Sequence, residues 1–377
     1  MRMEIRTHQS INSIDKHRWN ELKDSDYPFL RHEFLAAMEN SGSVSTDQGW
    51  QVCHLELIEE GETLIYLPLY IKYHSWGEYV FDQSWANAFH QSGLNYYPKL
   101  LSAIPFTPST GPRWLGKLEP EDALQRITQA IKTFANEYKL ESWHLLFPAL
   151  SSIETAERND LLVRSGLQYQ WFNREYRDFD HFLEGLTSRK RKELRKEREK
   201  SLVFEFIHLS GSEISAAQLK QFYELYALTY LKRGREPYLD QSFFAELVQT
   251  MPEQMLFVFA KLEGEIVAGA LSFHDSTTLY GRYWGCYEEY DALHFETCYY
   301  QGIDYCIKHQ LERFDSGAQG EHKIKRGFEP VFTHSVHWVN HPEFHKAIAN
   351  FVDEESEYLS TQKSHLSERL PFKNSDL

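Results

Sequence analysis

Cysteine is scarce in this chain of 377 residues, where Cys53, Cys286, Cys298 and Cys306 are the only four. None belongs to a CxxC pair and their spacing matches no zinc site, so reduced thiols in a cytosolic protein are the simplest expectation. Long apolar runs are missing as well. No stretch reaches the ~20 apolar residues of a membrane-spanning helix, and the start, Met1-Arg2-Met3-Glu4-Ile5-Arg6, has no apolar signal core. A soluble, cytoplasmic protein is expected. Positive charge is in deficit: 40 Lys and Arg stand against 55 Asp and Glu, a net charge of -15. Such a surface repels polyanions, which argues against a general nucleic-acid binder but leaves room for a local basic site. No nucleophile elbow, Walker loop, HExxH or Rossmann fingerprint occurs in a trustworthy context, which removes several enzyme classes, and no metal centre is expected.

What is present is apolar and aromatic. Hydrophobic residues make up 42% and aromatics 15%, with 22 Tyr and 25 Phe, a composition that suits sheets and an aromatic-walled cleft. The length exceeds what one core usually serves, so two domains are expected. Periodicity predicts helices over 15–23, 30–39, 120–138, 153–164, 216–232, 241–249, 293–310 and 343–359. Strands are predicted over 3–7, 50–58, 63–73, 142–147, 168–172, 203–209, 255–262, 266–274, 277–286 and 331–339. Helices and strands alternate and hairpins are included, so the class is α+β, or mixed α/β. The divisions that follow are a first domain over 1–175, a basic connecting helix over 176–200, a second domain over 201–360 and a polar tail over 361–377. The halves share an order: Phe29-Leu30 and Phe34-Leu35-Ala36 correspond to Tyr238-Leu239 and Phe243-Phe244-Ala245, and each is followed by a Glu-Gly-Glu turn, at Gly61 and Gly264.

Five stretches could carry chemistry. In Ser316-Gly317-Ala318-Gln319-Gly320-Glu321-His322-Lys323-Ile324-Lys325-Arg326-Gly327, glycines stand among cations. Glycine permits positive φ and close approach, and cations beside backbone N–H groups suit a phosphate or carboxylate; the plain alternative is a solvated turn. The aromatic strand before it holds Gly281, Arg282 and Gly285, which read as functional, while its Tyr and Trp side chains read as core. His294 and Glu296 open the next helix, where the helix dipole alone explains Glu296 and His294 is either a general base or packed. Glu321 and His322 have a better claim to proton transfer, because the loop would hold them near a bound anion. Cys286, Cys298 and Cys306 fall at core-like spacing and read as small buried hydrophobes.

Upstream, Pro105, Pro108 and Pro112 stiffen a loop that ends at Arg113, as a binding wall requires. Eight of the twelve residues from 189 to 200 are basic, Arg189 and Lys200 among them, and Glu193 and Glu199 lie four residues after Arg189 and Arg195. A helix with i,i+4 pairs is predicted, either as a solvated face or as a contact for an anionic substrate or RNA phosphate.

The segments Tyr280-Gly281-Arg282-Tyr283-Trp284-Gly285-Cys286, Leu293-His294-Phe295-Glu296, Cys298-Tyr299-Tyr300-Gln301 and Gly317-Ala318-Gln319-Gly320-Glu321-His322-Lys323 carry a resemblance. With Tyr97-Pro98-Lys99, Pro105-Phe106-Thr107-Pro108, Gly111-Pro112-Arg113 and Ser188-Arg189-Lys190-Arg191-Lys192 they resemble the bacterial FemAB-like family of N-acyltransferases over nearly the whole chain. That resemblance implies a tandem pair of GNAT-like domains, each a mixed, mostly antiparallel sheet flanked by helices. It also implies kinship with the Fem peptidyltransferases, which add amino acids from aminoacyl-tRNA to peptidoglycan precursors. Lys325-Arg326-Gly327-Phe328 is similar to their Lys-x-Gly-Phe segment. GNAT enzymes that use acyl-CoA carry an Arg/Gln-x-x-Gly-x-Gly/Ala loop, from which Arg282-Tyr283-Trp284-Gly285-Cys286-Tyr287 departs at its last position, with Tyr287 where backbone would meet pyrophosphate.

The expected function is an N-acyl- or aminoacyltransferase acting on an amine acceptor, a small molecule or peptidoglycan-type precursor. No tightly bound cofactor is expected, and the donor is either acyl-CoA or aminoacyl-tRNA, the latter held through residues 189–200. Lys323, Lys325 and Arg326, with Gly317, Gln319, Gly320, Arg282, Gly285, His294 and Glu296, would meet the substrate or the developing charge. His322 or Glu321 would take the amine proton, and Arg113 would line the acceptor side. The rival expectation is a non-catalytic module that recognises an anionic metabolite or cell-wall precursor.

Overall fold

The computed structural model describes residues 3–22, 25–318 and 320–373. Contacts divide the chain into two compact units, each made of two pieces. Unit 1 comprises residues 1–167 and 332–361, and unit 2 residues 168–331 and 362–377. Where the sequence reading sets one half after the other, the units interleave.

Unit 1 begins with β1 (Glu4–His8), α1 (Lys16–Glu21) and α2 (His32–Asn40). Asp15 caps α1 by accepting from the Arg18 N–H, as the short acid before a helix should. Then come β2 (Trp50–Val52), β3 (His54–Glu59), β4 (Glu62–Leu67) and β5 (Tyr70–Lys72). Two long strands were expected over 50–58 and 63–73, and each is broken. The break at Pro68 has a plain cause, since proline has no N–H for the ladder. The pieces go to different sheets.

Next are α3 (Gln83–Gln91), β6 (Lys99–Ser102), β7 (Leu115–Gly116), α4 (Pro120–Tyr138), β8 (Ser142–Leu146) and α5 (Leu150–Ala156). One sheet, β1-β3-β4-β7, is antiparallel throughout. In the other, β2 and β5 and then β5 and β6 pair antiparallel, while β6 and β8 are parallel. α4 buries Leu124, Ile127, Ile131 and Phe134 at helical spacing against Leu55, Ile65 and Trp143. The helix expected over 153–164 stops at Ala156, because Asp160 takes the left-handed conformation at φ 56 and β9 (Leu162–Phe172) follows.

Unit 2 contains α6 (Phe179–Glu184), α7 (Ser188–Glu199), β10 (Glu205–Ser210), α8 (Ala216–Leu231) and α9 (Gln241–Thr250). An antiparallel ladder continues from β10 through β11 (Met255–Leu262), β12 (Glu265–His274) and β13 (Thr278–Cys286). The helix expected over 293–310 is α10 (Leu293–Phe295), a π turn over Glu296–Tyr300, and α11 (Gln301–Lys308). β14 (Arg313–Asp315) then lies parallel to β13 and antiparallel to the Gln170–Phe172 end of β9.

The repeat seen in the sequence is built into the backbone. In unit 1, α2 precedes the β3–β4 hairpin, and in unit 2, α9 precedes the β11–β12 hairpin. Both turns put a glutamate and a glycine at positive φ, Glu60 and Gly61 at 54 and 83, Glu263 and Gly264 at 52 and 88. That is the two-residue turn whose twist suits a hairpin. Each hairpin also has a ladder shift just before the turn, at Leu57/Ile58 and Ala260/Lys261.

β15 (Glu329–Val339), whose Ser335–Val339 portion pairs with β8, and α12 (Pro342–Ser367) complete the chain. A polar tail was expected from residue 361. Instead α12 runs on to Ser367, Leu366 and Phe372 are buried, and Phe372 bridges Leu186, so apolar side chains anchor the described part of that stretch. Residues 374–377 lie outside the described residues.

Candidate acyl-transfer site

In unit 2, β13 and β14 run side by side for only three residue pairs, Thr278 to Tyr280 against Arg313 to Asp315. β13 continues to Cys286, while β14 ends and the chain passes through 316–320 into a tight turn, Glu321–Arg326. β13 also bulges. Leu271 pairs with Tyr283 and Ser272 with Gly281, so Arg282 is the extra residue and the strand is redirected at that point.

The turn carries two of its three cations, Lys323 and Arg326, inward. Lys323 is 2% exposed, and its Nζ donates to the carbonyls of Ser316 at 3.0 Å and Gly317 at 2.8 Å. Burial pulls this ammonium down to about 8, against the pull of Asp315 and with help from Arg282. Asp315, also buried, accepts the Gly317 N–H at 2.9 Å. Arg326 forms a two-point ion pair with Glu197 of α7, at 2.9 and 2.6 Å, and lies 3.4 Å from the Phe295 ring centre. Its remaining terminal nitrogen donates to the His322 carbonyl. Tyr300 donates its hydroxyl to the same Glu197.

His322 lies in this turn and His294 faces it. The His322 Nε2 is 3.1 Å from the Tyr299 hydroxyl, and the His294 ring lies 6.5 Å from the His322 ring, among Trp284, Phe295 and Tyr299. Burial, then the charges of His322, Arg326 and Lys323, pull His294 down to about 4. Burial first, then Arg326 and Lys323, also lowers His322. Both rings are therefore neutral at pH 7 and can accept a proton. Gly320, at φ 107, leads into the turn, and a Cβ there would sit 2.6 Å from the His322 ring.

The structure brings His294, His322, Lys323 and Arg326 together, with Gly317, Gly320 and Arg282 beside them, and gives several other expected residues different places. Glu321 and Lys325 are exposed, and Glu321 reaches Arg369 at 3.2 Å. Glu296 lies in the π turn rather than in an ordinary first turn. It is 3% exposed and pairs with Arg198 of α7 at 3.1 and 2.7 Å. Gly285 has a packing cause, since a Cβ there would lie 1.8 Å from the Leu225 carbonyl oxygen of α8. Gly317 is at positive φ beside Arg282. Gln319 lies outside the described residues. Arg113 is in unit 1, buried, and donates to the carbonyls of Leu146, Gly111, Pro112 and Ser109, so it clamps its own proline-rich loop. Tyr287 is partly exposed, its hydroxyl 3.3 Å from Glu224.

α7 divides its charges. Arg189 and Lys190 pair with Glu193, Arg195 with Asp180 rather than with Glu199, Arg198 with Glu296 and Asp304, and Lys200 with Asp291. Among the described residues Arg191, Lys192 and Lys196 have no ion pair. Sequence reasoning missed Tyr299, Asp315 and Glu197. An acid ending a short strand two residues before a glycine, and an acid inside a basic run, were the signals for the last two.

Among the described residues no cluster of three or more His, Cys, Asp or Glu is placed to hold a metal, and no helix is long and apolar enough to cross a membrane. No curated protein matches the chain. Several solved structures do. FemX shares 12% identity with a TM-score of 0.56, covering 91% of this chain and 99% of its own. The C-terminal domain of a putative lysylphosphatidylglycerol synthetase from Agrobacterium fabrum shares 9%, with a TM-score of 0.53 and coverage of 91% and 96%. A protein of unknown function from Bacteroides thetaiotaomicron shares 11%, with a TM-score of 0.52 and coverage of 89% and 99%. At such identity the likeness shows the fold, a mixed α/β architecture shared with FemX over nearly the whole chain. The family model for FemAB-like proteins, described as peptidoglycan biosynthesis/recognition, matches residues 10–374, and the chain belongs to that family.

Proposed function

We propose that this protein transfers an activated acyl or aminoacyl group to an amine, and that the reacting groups gather at the Glu321–Arg326 turn of unit 2. The observation that carries the reading is a neutral His322 next in sequence to a buried Lys323 ammonium, where β13 and β14 part. The amine nitrogen attacks the donor carbonyl carbon, a C–N bond forms, and the ester or thioester bond to the leaving group breaks. His322 takes the proton the amine must lose and returns one to the leaving oxygen or sulfur. The Tyr299 hydroxyl orients the ring. Lys323 has two N–H groups on loop carbonyls and a third to direct at the developing oxyanion.

FemX and the lysylphosphatidylglycerol synthetase domain support an aminoacyl donor. Arg191, Lys192 and Lys196 are the cations that would meet its phosphates. A peptidoglycan-type precursor, in keeping with the family description, is the acceptor we favour. His322→Gln should lower turnover on the order of a hundredfold while leaving the unfolding midpoint in place. Unchanged turnover sinks the assignment.

One observation favours a second reading, a non-catalytic binding module: every side-chain nitrogen of Arg326 donates to a protein acceptor, and so do two of the three N–H groups of Lys323. Calorimetry separates the two. A module binds an acceptor-like ligand but neither acyl-CoA nor charged tRNA.

A further inference from the structure

Unit 1 contains a stretch from which exposed charge is missing. Between Tyr73 and Pro98 the sequence has no Lys or Arg, and its only acids are Glu78 and Asp82, both buried, in a chain that is 25% charged. The exposed large side chains of this stretch are mostly aromatic and amide, with His90 and Leu94 beside them. Trp76 is 67% exposed, Phe81 68% and Tyr73 46%. Gln83, Asn87 and Gln91 lie four apart on one exposed face of α3.

The segment 73–82 is fastened from beneath at considerable cost. Lys99, 0% exposed, donates to Ser75 at 2.9 Å, to Glu78 at 2.8 Å and to Asp82. Lys72, also 0% exposed, donates to the Trp76 carbonyl at 3.2 Å from a position over the Trp50 ring. The Phe106 N–H donates to the Gly77 carbonyl. Taking two ammonium groups and two carboxylates out of water opposes folding, so a fold that does it here gains something other than stability. It gains a fixed backbone under exposed aromatic side chains, which removes most of the ordering entropy that a ligand would otherwise meet.

We propose that residues 73–81, with the amide face of α3, form a docking surface for a neutral sugar chain. The C–H faces of a pyranose ring stack on Trp76 and Phe81, while its hydroxyl and acetamido groups exchange hydrogen bonds with the α3 amides. The charge pattern selects this occupant. An anionic lipid or a nucleic acid calls for cations, and a charged peptide for counter-charges; the stretch itself exposes no Lys, Arg, Asp or Glu, and Arg164, which donates to the Phe81 carbonyl, is neutralised by its two-point pair with Glu355. The inference does not depend on acyl transfer in unit 2.

The test titrates the full chain with the neutral β-1,4-linked trisaccharide of N-acetylglucosamine, read by tryptophan fluorescence and calorimetry. Saturable binding is expected, weakened about tenfold or more in both Trp76→Ala and Phe81→Ala. Because both side chains are mostly exposed, the unfolding midpoint should not move, and that control is run on each variant. No saturable binding by the wild-type chain, or equal binding by both variants, overturns the proposal. So does a concentration-dependent dimer that Trp76→Ala abolishes in a chain that binds no sugar, which would assign the surface to a second copy.

Discussion

His322 and Lys323 are adjacent in sequence, and their surroundings set opposite requirements. His322 acts as a base only when neutral, and its pKa lies below the usual 6.5; Lys323 stabilises an oxyanion only when charged, and its pKa is pulled down to about 8. kcat/KM should therefore rise with pH up to about 6.5 and fall through about 8, and Lys323→Arg should remove the alkaline fall. A flat profile across that range excludes this pair of roles. Arg326 behaves differently from what its place in a cationic loop suggests. It is 6% exposed and pairs with Glu197, so Arg326→Ala should cost about 2 kcal/mol in urea unfolding, less than for a fully buried pair because Glu197 is 24% exposed. The identity of these residues was legible in the sequence. Which cations turn inward was not, because that depends on Glu197 and Phe295, 129 and 31 positions away in the chain.

α7 shows how one helix can serve two surfaces. Through Leu194, Glu197 and Arg198 it packs into unit 2, and Glu197 and Arg198 engage Arg326 and Glu296. Lys192 and Lys196, one turn apart, are exposed. If tRNA is the donor, reversing Arg191, Lys192 and Lys196 to Glu should reduce the slope of log affinity against log salt by about 2 to 3, with little change in unfolding. An unchanged slope with retained donor binding points to a small donor such as acyl-CoA. β13 makes the complementary case. Its Gly285 looked like a ligand contact, yet the α8 backbone occupies that space, so Gly285→Ala should destabilise unit 2 by about 3 kcal/mol. Periodicity located α7 and β13 well. It could not say what lies against each face, because a helix or strand pattern carries no information about its neighbour.

Across the molecule, unit 1 contributes its own response to pH. His144 and His337 are fully buried and share a hydrogen bond at 2.6 Å. Burial is the first cause of lowering for both, to about 3 for His337 and well below the usual value for His144. A depressed folded pKa contributes stability that is present above the unfolded pKa and is lost as pH falls toward the folded one. Below about pH 6.5 unit 1 should lose up to about 1.4 kcal/mol per pH unit for each ring, and replacing both histidines with Gln should flatten that slope in acid denaturation. By itself the sequence determined the class, the doubled order of helix and hairpin, the two Glu-Gly turns and the family, because these rest on local periodicity, turn chemistry and motifs held within short stretches. The tertiary structure decided the rest: that the units interleave, that Arg113, Glu296 and Gly285 are bound into packing, and that the His322–Lys323 turn meets Tyr299. Those outcomes depend on burial and on partners distant in the chain, which set a group's charge and direction and leave no mark on its neighbours in sequence.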